Sequence, residues 1–127
     1  MTRQPLVLIV DDSEQNRKLA RDVLRGSGLE TVEAATGADA IALAAERLPD
    51  VVLLDLRLPD MDGAQVARAL RDDPRTAETP LIAVSALQPD DDWLREAGFA
   101  GSLEKPIDIK AFPEQVRRLA RGDASIP

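Results

Sequence analysis

The fold of this chain is decided by the segment VVLLDLRLPDMDG at residues 51–63. Its four leading aliphatic residues are too few for a buried helix, and they predict a β-strand that is buried on both faces. The strand ends at the carboxylate of Asp55, and the Leu-Pro and Asp-Gly pairs that follow break regular structure. Because a carboxylate buried without a partner is costly, we expect Asp55 at a strand end that faces solvent, a metal or a reacting group.

Composition limits the functions that the chain can have. Its 127 residues suit one domain, which we expect to span 1–127 with a core at about 6–121 and a frayed tail at 122–127. A net charge of −7 argues against binding to nucleic acid or to a membrane surface. The chain has no cysteine and no histidine, which excludes disulfides and imidazole sites. We find no membrane span or signal peptide and expect a cytoplasmic protein.

Strand patterns alternate with helix patterns along the chain. The predicted strands lie at 6–10, 30–35, 51–55, 81–85 and 100–103, and the predicted helices at 13–26, 37–48, 63–71, 89–97 and around 112–119. The spacing of the aliphatic residues predicts inward stripes of Leu19, Val23 and Leu24 in the first helix and of Ile41, Ala45 and Leu48 in the second. Trp93 is expected to be a partly buried packing residue.

Regular alternation of this kind predicts an α/β fold with a doubly wound parallel sheet and helices on both faces. In such a sheet, the carboxyl ends of the strands lie along one edge, where ligands bind. The polar residues expected at that edge are Asp11, Asp12, Asp55, Ser85 and Lys105. Residues that are far apart in the sequence are therefore predicted to converge at one site.

The chemistry of this set favours phosphoryl transfer. Neighbouring carboxylates repel one another unless a cation compensates them, and Mg²⁺ suits a site with few protein ligands. Aspartate is an established nucleophile for phosphoryl groups, while Mg²⁺ and a lysine neutralise the developing charge. We expect Ser85 to donate a hydrogen bond to a phosphoryl oxygen.

The ordered set of motifs resembles the receiver domain of two-component response regulators. The resemblance rests on Asp11-Asp12, on Asp55 with Pro59 and Gly63, on Ser85-Ala86 and on Lys105-Pro106, and it extends from about residue 6 to 119. It implies a flavodoxin-like (βα)5 fold with strand order 2-1-3-4-5. The chain as a whole resembles single-domain, CheY- and DivK-like receivers. The segment 13–17 is similar to that of single-domain DivK-like regulators and of receivers attached to hybrid kinases.

The resemblance also implies a role for each site residue. Asp55 would accept a phosphoryl group from a phosphohistidine of a sensor kinase or phosphotransfer protein. Lys105 would pair with that group, and Ser85 would move towards it. The implied ligands of Mg²⁺ are the side chains of Asp12 and Asp55, Asp11 through a water molecule, and the backbone carbonyl of Arg57. The Lys105–Pro106 peptide bond is expected to be cis.

The same resemblance implies a signalling protein and not an enzyme, apart from self-catalysed phosphotransfer and autodephosphorylation. A downstream protein would bind the face formed by residues 89–121, and the oligomeric state stays open. One position departs from the family pattern, because Ser102 stands where many receivers have Tyr or Phe.

Three alternatives remain at this point. The first is a receiver fragment of a larger hybrid kinase or effector protein. The second is a Mg²⁺-dependent phosphohydrolase, and the third is a flavin- or nucleotide-binding module. A phosphohydrolase commonly has a second acid where Arg57 stands. A nucleotide-binding module would have a glycine-rich phosphate loop in place of Asp11-Asp12.

Overall fold

The structure is a computed structural model that describes residues 4–87 and 89–120. It contains a five-stranded parallel sheet in the order β2-β1-β3-β4-β5. Strands and helices alternate as β1 (Leu6–Val10), α1 (Glu14–Gly26), β2 (Glu30–Ala34), α2 (Gly37–Arg47), β3 (Val51–Asp55), α3 (Gly63–Asp72), β4 (Leu81–Ser85), α4 (Asp91–Ala97), β5 (Gly101–Glu104) and α5 (Phe112–Ala120). The predicted α/β fold and its strand order are confirmed.

Two apolar layers cover the two faces of the sheet. Along β1 and β3, side chains alternate between the layers, so that Val52 and Leu54 face one and Val51 and Leu53 face the other. Helices α2, α3 and α4 complete the first layer, and α1 and α5 complete the second. Because both faces are covered, every residue of β1 and β3 is buried, as the unbroken aliphatic runs predict.

The predicted inward stripes of the first two helices are partly wrong. In α1, Leu24 is buried as expected, but Leu19 is 44% exposed and Ala20 lies inward instead. In α2, the buried residues include Ala40 and Ala44, whereas Leu48 is 51% exposed. The prediction favoured the larger aliphatic residues, but alanine allows a helix to pack close to the sheet.

Other boundaries agree with the predictions to within one or two residues. Helix α2 is capped by Leu48, which adopts the left-handed conformation with φ 50°, and α4 is capped by Gly98 with φ 94°. Pro113 lies in the first turn of α5, where proline is tolerated. The Lys105–Pro106 peptide bond is cis, as expected.

The predicted tail at 122–127 lies outside the described residues. Within the described part of the chain, no helix has the length and hydropathy needed to cross a membrane.

Candidate functional site

The carboxyl ends of three central strands and of β5 bring the predicted site residues together. Asp11 directly follows β1, Asp55 is the last residue of β3, and Ser85 is the last residue of β4. In the parallel register, Asp55 pairs with Val84, and Ser85 pairs with Glu104, the residue before Lys105. The side chains that the sequence places at one edge therefore leave the sheet within two residues of the level of Asp55.

Three carboxylates form a compact acidic cluster. One carboxylate oxygen from each of Asp11, Asp12 and Asp55 lies within 4.8 Å of the others. Asp11 and Asp55 are 7% and 8% exposed, whereas Asp12 is exposed. Carboxylate oxygens at this spacing, with one of the three groups open to solvent, fit a hard divalent cation that keeps part of its water shell.

Lys105 supplies the positive charge nearest to this cluster. Its Nζ atom lies 3.2 Å from Asp11 Oδ2 and 3.2 Å from Asp55 Oδ2. Burial lowers the pKa of Lys105, but attraction to Asp11 and then to Asp55 outweighs that effect, so the pKa lies above its ordinary value. The ammonium group therefore stays charged at neutral pH and offsets part of the repulsion between the two buried acids.

Asp11 is held on every side by hydrogen bonds. Its Oδ1 atom accepts from the backbone N–H of Ser13 at 2.9 Å, and its Oδ2 atom accepts from Asn16 Nδ2 at 3.3 Å. Its backbone N–H donates to the carbonyl of Ala34 in β2 at 3.1 Å, and its carbonyl accepts from Arg17 Nη1 at 2.8 Å. Sequence reasoning missed Asn16 and Arg17, because only the folded helix α1 brings their side chains back to Asp11.

Asp55 is oriented by the loop that follows it. Its Oδ1 atom accepts from the backbone N–H of Arg57 at 3.0 Å, which leaves Oδ2 facing Lys105. The loop closes on itself, since Arg57 and Asp62 form an isolated bridge and the N–H of Gly63 donates to the carbonyl of Leu56 at 3.0 Å. Arg57 is exposed and lines the same cavity as Asp55. The predicted role of its carbonyl as a metal ligand stays a prediction.

The same loop is tied to helix α2 by Asp60. The backbone N–H groups of Gly37 and Ala38 donate to Asp60 at 2.8 and 3.0 Å. These bonds, together with weaker local contributions, hold the pKa of Asp60 below its ordinary value. The start of α2 thereby fixes the loop that carries Arg57 and Asp62.

Ser85 ends β4, which is separated by β3 from β1, the strand that leads to Asp12. The backbone N–H of Lys105 donates to the Ser85 carbonyl at 2.9 Å, and the Ser85 Oγ atom accepts from the N–H of Leu87 at 3.2 Å. Ser85 lines a cavity of about 730 Å³ together with Asp12, Asp55 and Lys105. The cavity brings together every predicted side chain of the site except Asp11, which reaches it through the acidic cluster.

Trp93 and Leu87 are large apolar residues that line this cavity. The ring of Trp93 stacks on Phe99 with centroids 5.9 Å apart, and the residue remains 38% exposed. Trp93 therefore packs as expected, but it is less buried than the sequence suggested. Leu87 is 70% exposed.

Comparison with known proteins agrees with this geometry. A family model described as the response regulator receiver domain matches residues 7–117. The chain belongs to the response regulator receiver family. A receiver domain acts in signalling and works with a kinase or phosphotransfer partner. The acidic cluster can hold the divalent metal that receiver domains typically bind.

Several relatives support this assignment. The polar-differentiation response regulator DivK of Brucella abortus (strain 2308) is 38% identical over 120 residues, which are 93% of this chain and 97% of DivK. The chemotaxis response regulator CheY4 of Vibrio cholerae has a TM-score of 0.86 at 27% identity, over 92% of this receiver and 99% of CheY4. The receiver domain of a sensor histidine kinase from Pseudomonas aeruginosa PAO1 has a TM-score of 0.84 at 28% identity, over 94% and 99% of the two chains. In that structure, a magnesium ion is coordinated in the active-site cleft.

Proposed function

We propose that Asp55 is the phosphoacceptor of this receiver. The donor is a phosphohistidine on a sensor kinase or a phosphotransfer protein. In the transfer, the P–N bond breaks and its electron pair stays on the imidazole, while a P–O bond forms to the carboxylate of Asp55. The convergence of Asp55 with Lys105 and the other two acids at one strand edge supports this proposal.

We assign the metal site of the proposal to the acidic cluster. Asp12 and Asp55 would hold Mg²⁺ through their side chains, Asp11 would act through a water molecule, and the carbonyl of Arg57 would complete the protein ligands. Asp12 suits direct ligation because it is exposed, whereas Asp11 is already held by Ser13, Asn16 and Lys105. When bound, Mg²⁺ supplies positive charge next to the transferred group.

The remaining residues act on the phosphoryl group during and after transfer. The Lys105 ammonium leaves one of its two carboxylate partners and pairs with a phosphoryl oxygen. Ser85 gives up the bond from Leu87 and turns its hydroxyl towards the same group. The group is lost again by autodephosphorylation. Water attacks the phosphorus atom, the P–O bond to Asp55 breaks, and the free carboxylate is the leaving group.

The output surface of the proposal is the face formed by residues 89–121, of which 89–120 are described. Its helix α4 starts just beyond Leu87, so a movement of Ser85 reaches this face over a short segment of chain. A downstream protein binds this face, on which Trp93 is the large exposed aromatic residue. The reaction takes place in the cytoplasm, where kinases form phosphohistidine from ATP.

Labelling with a radioactive small phosphodonor tests the proposal directly. With Mg²⁺ present, acetyl phosphate should introduce one acid-stable, base-labile phosphate, and Asp55→Asn should abolish it. Asp62→Asn is the matched control, because Asp62 lines the same cavity but lies outside the acidic cluster. Asparagine also keeps its role at the start of α3. Undiminished labelling of Asp55→Asn would move the nucleophile elsewhere.

A further inference from the structure

A network of ion pairs joins the start of α1 to the edge strand β2. Arg17 Nε lies 3.3 Å from Glu33 Oε1, and Arg21 Nη1 lies 2.8 Å from Glu33 Oε2. The side chains of Arg17 and Glu33 are 17% and 22% exposed, so both are largely shielded from water. The two arginines thus share one carboxylate, but only one of them reaches the acidic cluster.

Arg17 differs from Arg21 because it also contacts Asp11. Its Nη1 atom donates to the backbone carbonyl of Asp11 at 2.8 Å, while its Nε atom holds Glu33. The carbonyl of Asp11 belongs to the peptide that leads into Asp12. Fixing this carbonyl fixes the plane of that peptide, and with it the Asp12 Cα atom from which the side chain leaves the backbone.

Asp12 depends on this constraint more than its neighbours do. Asp11 is positioned by bonds to its own carboxylate, and Asp55 by the N–H of Arg57. The structure gives no hydrogen bond between the Asp12 carboxylate and any described residue. Its position in the cluster is set by the backbone, and hence by the carbonyl that Arg17 holds.

We propose that Arg17 is a positioning residue for the divalent metal, which orients Asp12 through the Asp11–Asp12 peptide and is itself anchored by Glu33. The inference rests on the proposed metal site. Arginine suits the task because its separate nitrogens bind two acceptors in fixed directions, whereas a lysine ammonium is a single point of charge. Partners of this kind behind the direct ligands commonly change metal affinity by about 10–100-fold.

The sign of the effect separates positioning from simple electrostatics. Removing a positive charge near a cation site should strengthen cation binding, because one repulsive interaction disappears. Loss of positioning should weaken it. Arg17→Gln and Arg21→Gln each remove one positive charge, from neighbouring turns of α1, and each deprives the same carboxylate of one arginine partner. Only Arg17→Gln also releases the Asp11 carbonyl.

The experiment measures Mg²⁺ affinity by calorimetry in the full chain, the melting temperature without metal, and the labelling rate against Mg²⁺ concentration. We expect Arg17→Gln to weaken Mg²⁺ binding roughly tenfold, and to raise the half-saturating Mg²⁺ concentration by the same factor while the plateau rate changes little. Arg21→Gln should stay within about twofold of the wild type, because Arg21 bonds to Glu33 and the Asp11 carbonyl keeps its bond from Arg17. Arg17→Lys should remain impaired, since it keeps the charge and loses the second donor.

Three results would overturn the inference. They are tighter Mg²⁺ binding in Arg17→Gln, equal losses in Arg17→Gln and Arg21→Gln, and full recovery in Arg17→Lys. Equal melting temperatures of the two glutamine variants would exclude a general loss of stability as the cause of a difference in affinity. If the wild type itself is not labelled at Asp55, the proposed function fails, and calorimetry still decides the role of Arg17.

Discussion

Lys105 Nζ lies 3.2 Å from Asp55 Oδ2, although 50 positions separate the two residues in the chain. The same nitrogen lies 3.2 Å from Asp11 Oδ2, which is 94 positions away. One ammonium group thus offsets the charges of two buried carboxylates that would otherwise repel each other. A metal ion in this cluster must share both acids with Lys105.

This sharing predicts opposite effects of Lys105→Met on metal binding and on phosphorylation. Mg²⁺ should bind more tightly, by roughly tenfold, because the competing positive charge is gone. Phosphorylation should slow by roughly a hundredfold, because a donor to the developing phosphoryl charge is lost. Calorimetry and labelling kinetics measure the two quantities. Lys110→Met is the matched control on an exposed lysine of the following loop, and unchanged Mg²⁺ affinity in Lys105→Met would contradict the competition.

Asp12→Ala should weaken Mg²⁺ binding by at least about tenfold, because it removes the exposed member of the cluster that suits direct ligation. The variant should fold normally, since Asp12 lies at the surface. Asp72→Ala removes the same charge at the end of α3 and should leave the affinity almost unchanged. An equal loss in both variants, measured by titration with Mg²⁺, would show that only net charge matters.

Gly63→Ala should destabilise the protein by about 1–3 kcal/mol. A Cβ atom at Gly63 would lie 2.5 Å from Leu56 Cδ2 and 3.0 Å from Leu56 Cα, so the loop behind Asp55 must shift. Gly26→Ala is the control, because a Cβ atom there meets nothing within 4 Å. Urea unfolding should show a neutral or slightly stabilising effect of Gly26→Ala. Equal stabilities of the two variants would refute the steric argument.

Asp60 should make stability depend on pH in the acid range. Its pKa in the folded state lies below that of the unfolded chain, because the N–H groups of Gly37 and Ala38 favour the charged form. The stabilisation is therefore fully present above the unfolded-state pKa of about 3.9, and it is lost as the pH falls through the folded-state pKa.

Asp60→Asn should accordingly reduce the free energy of unfolding more at pH 7 than at pH 3. Denaturant titrations at the two pH values measure the difference. Asp90→Asn is a matched control, because Asp90 precedes α4 without a side-chain hydrogen bond to it. A deficit of Asp60→Asn that is the same at both pH values would show that the charge of Asp60 does not stabilise the start of α2.

Much of the site was predictable because its residues terminate aliphatic strands. The run before Asp55 identified a buried strand, and parallel pairing then placed Asp55, Ser85 and Lys105 at one edge. Helix ends were equally readable where a single residue sets the backbone, as at Ser13 and Gly98. These features depend on local chemistry that the sequence states directly.

Other features depended on distances between elements. Ala20 faces the core in place of Leu19 because α1 approaches the sheet closely. The spacing of the large residues in the sequence does not encode that distance. The bonds of Asn16 and Arg17 to Asp11 depend on where α1 starts relative to β1. The bond of Asp60 to Gly37 joins a loop to the start of a helix 23 positions away.

The sequence by itself determined the order of strands and helices, the edge at which the polar residues gather, and the chemistry open to a chain without histidine or cysteine. These follow from the period of the apolar residues and from the side chains that end each strand. Only the tertiary structure decided that Lys105 divides its charge between Asp11 and Asp55 and that Arg17 holds the peptide before Asp12. The physical reason is that hydrogen bonds and ion pairs act over about 3 Å, a distance that only the packing of whole elements can set.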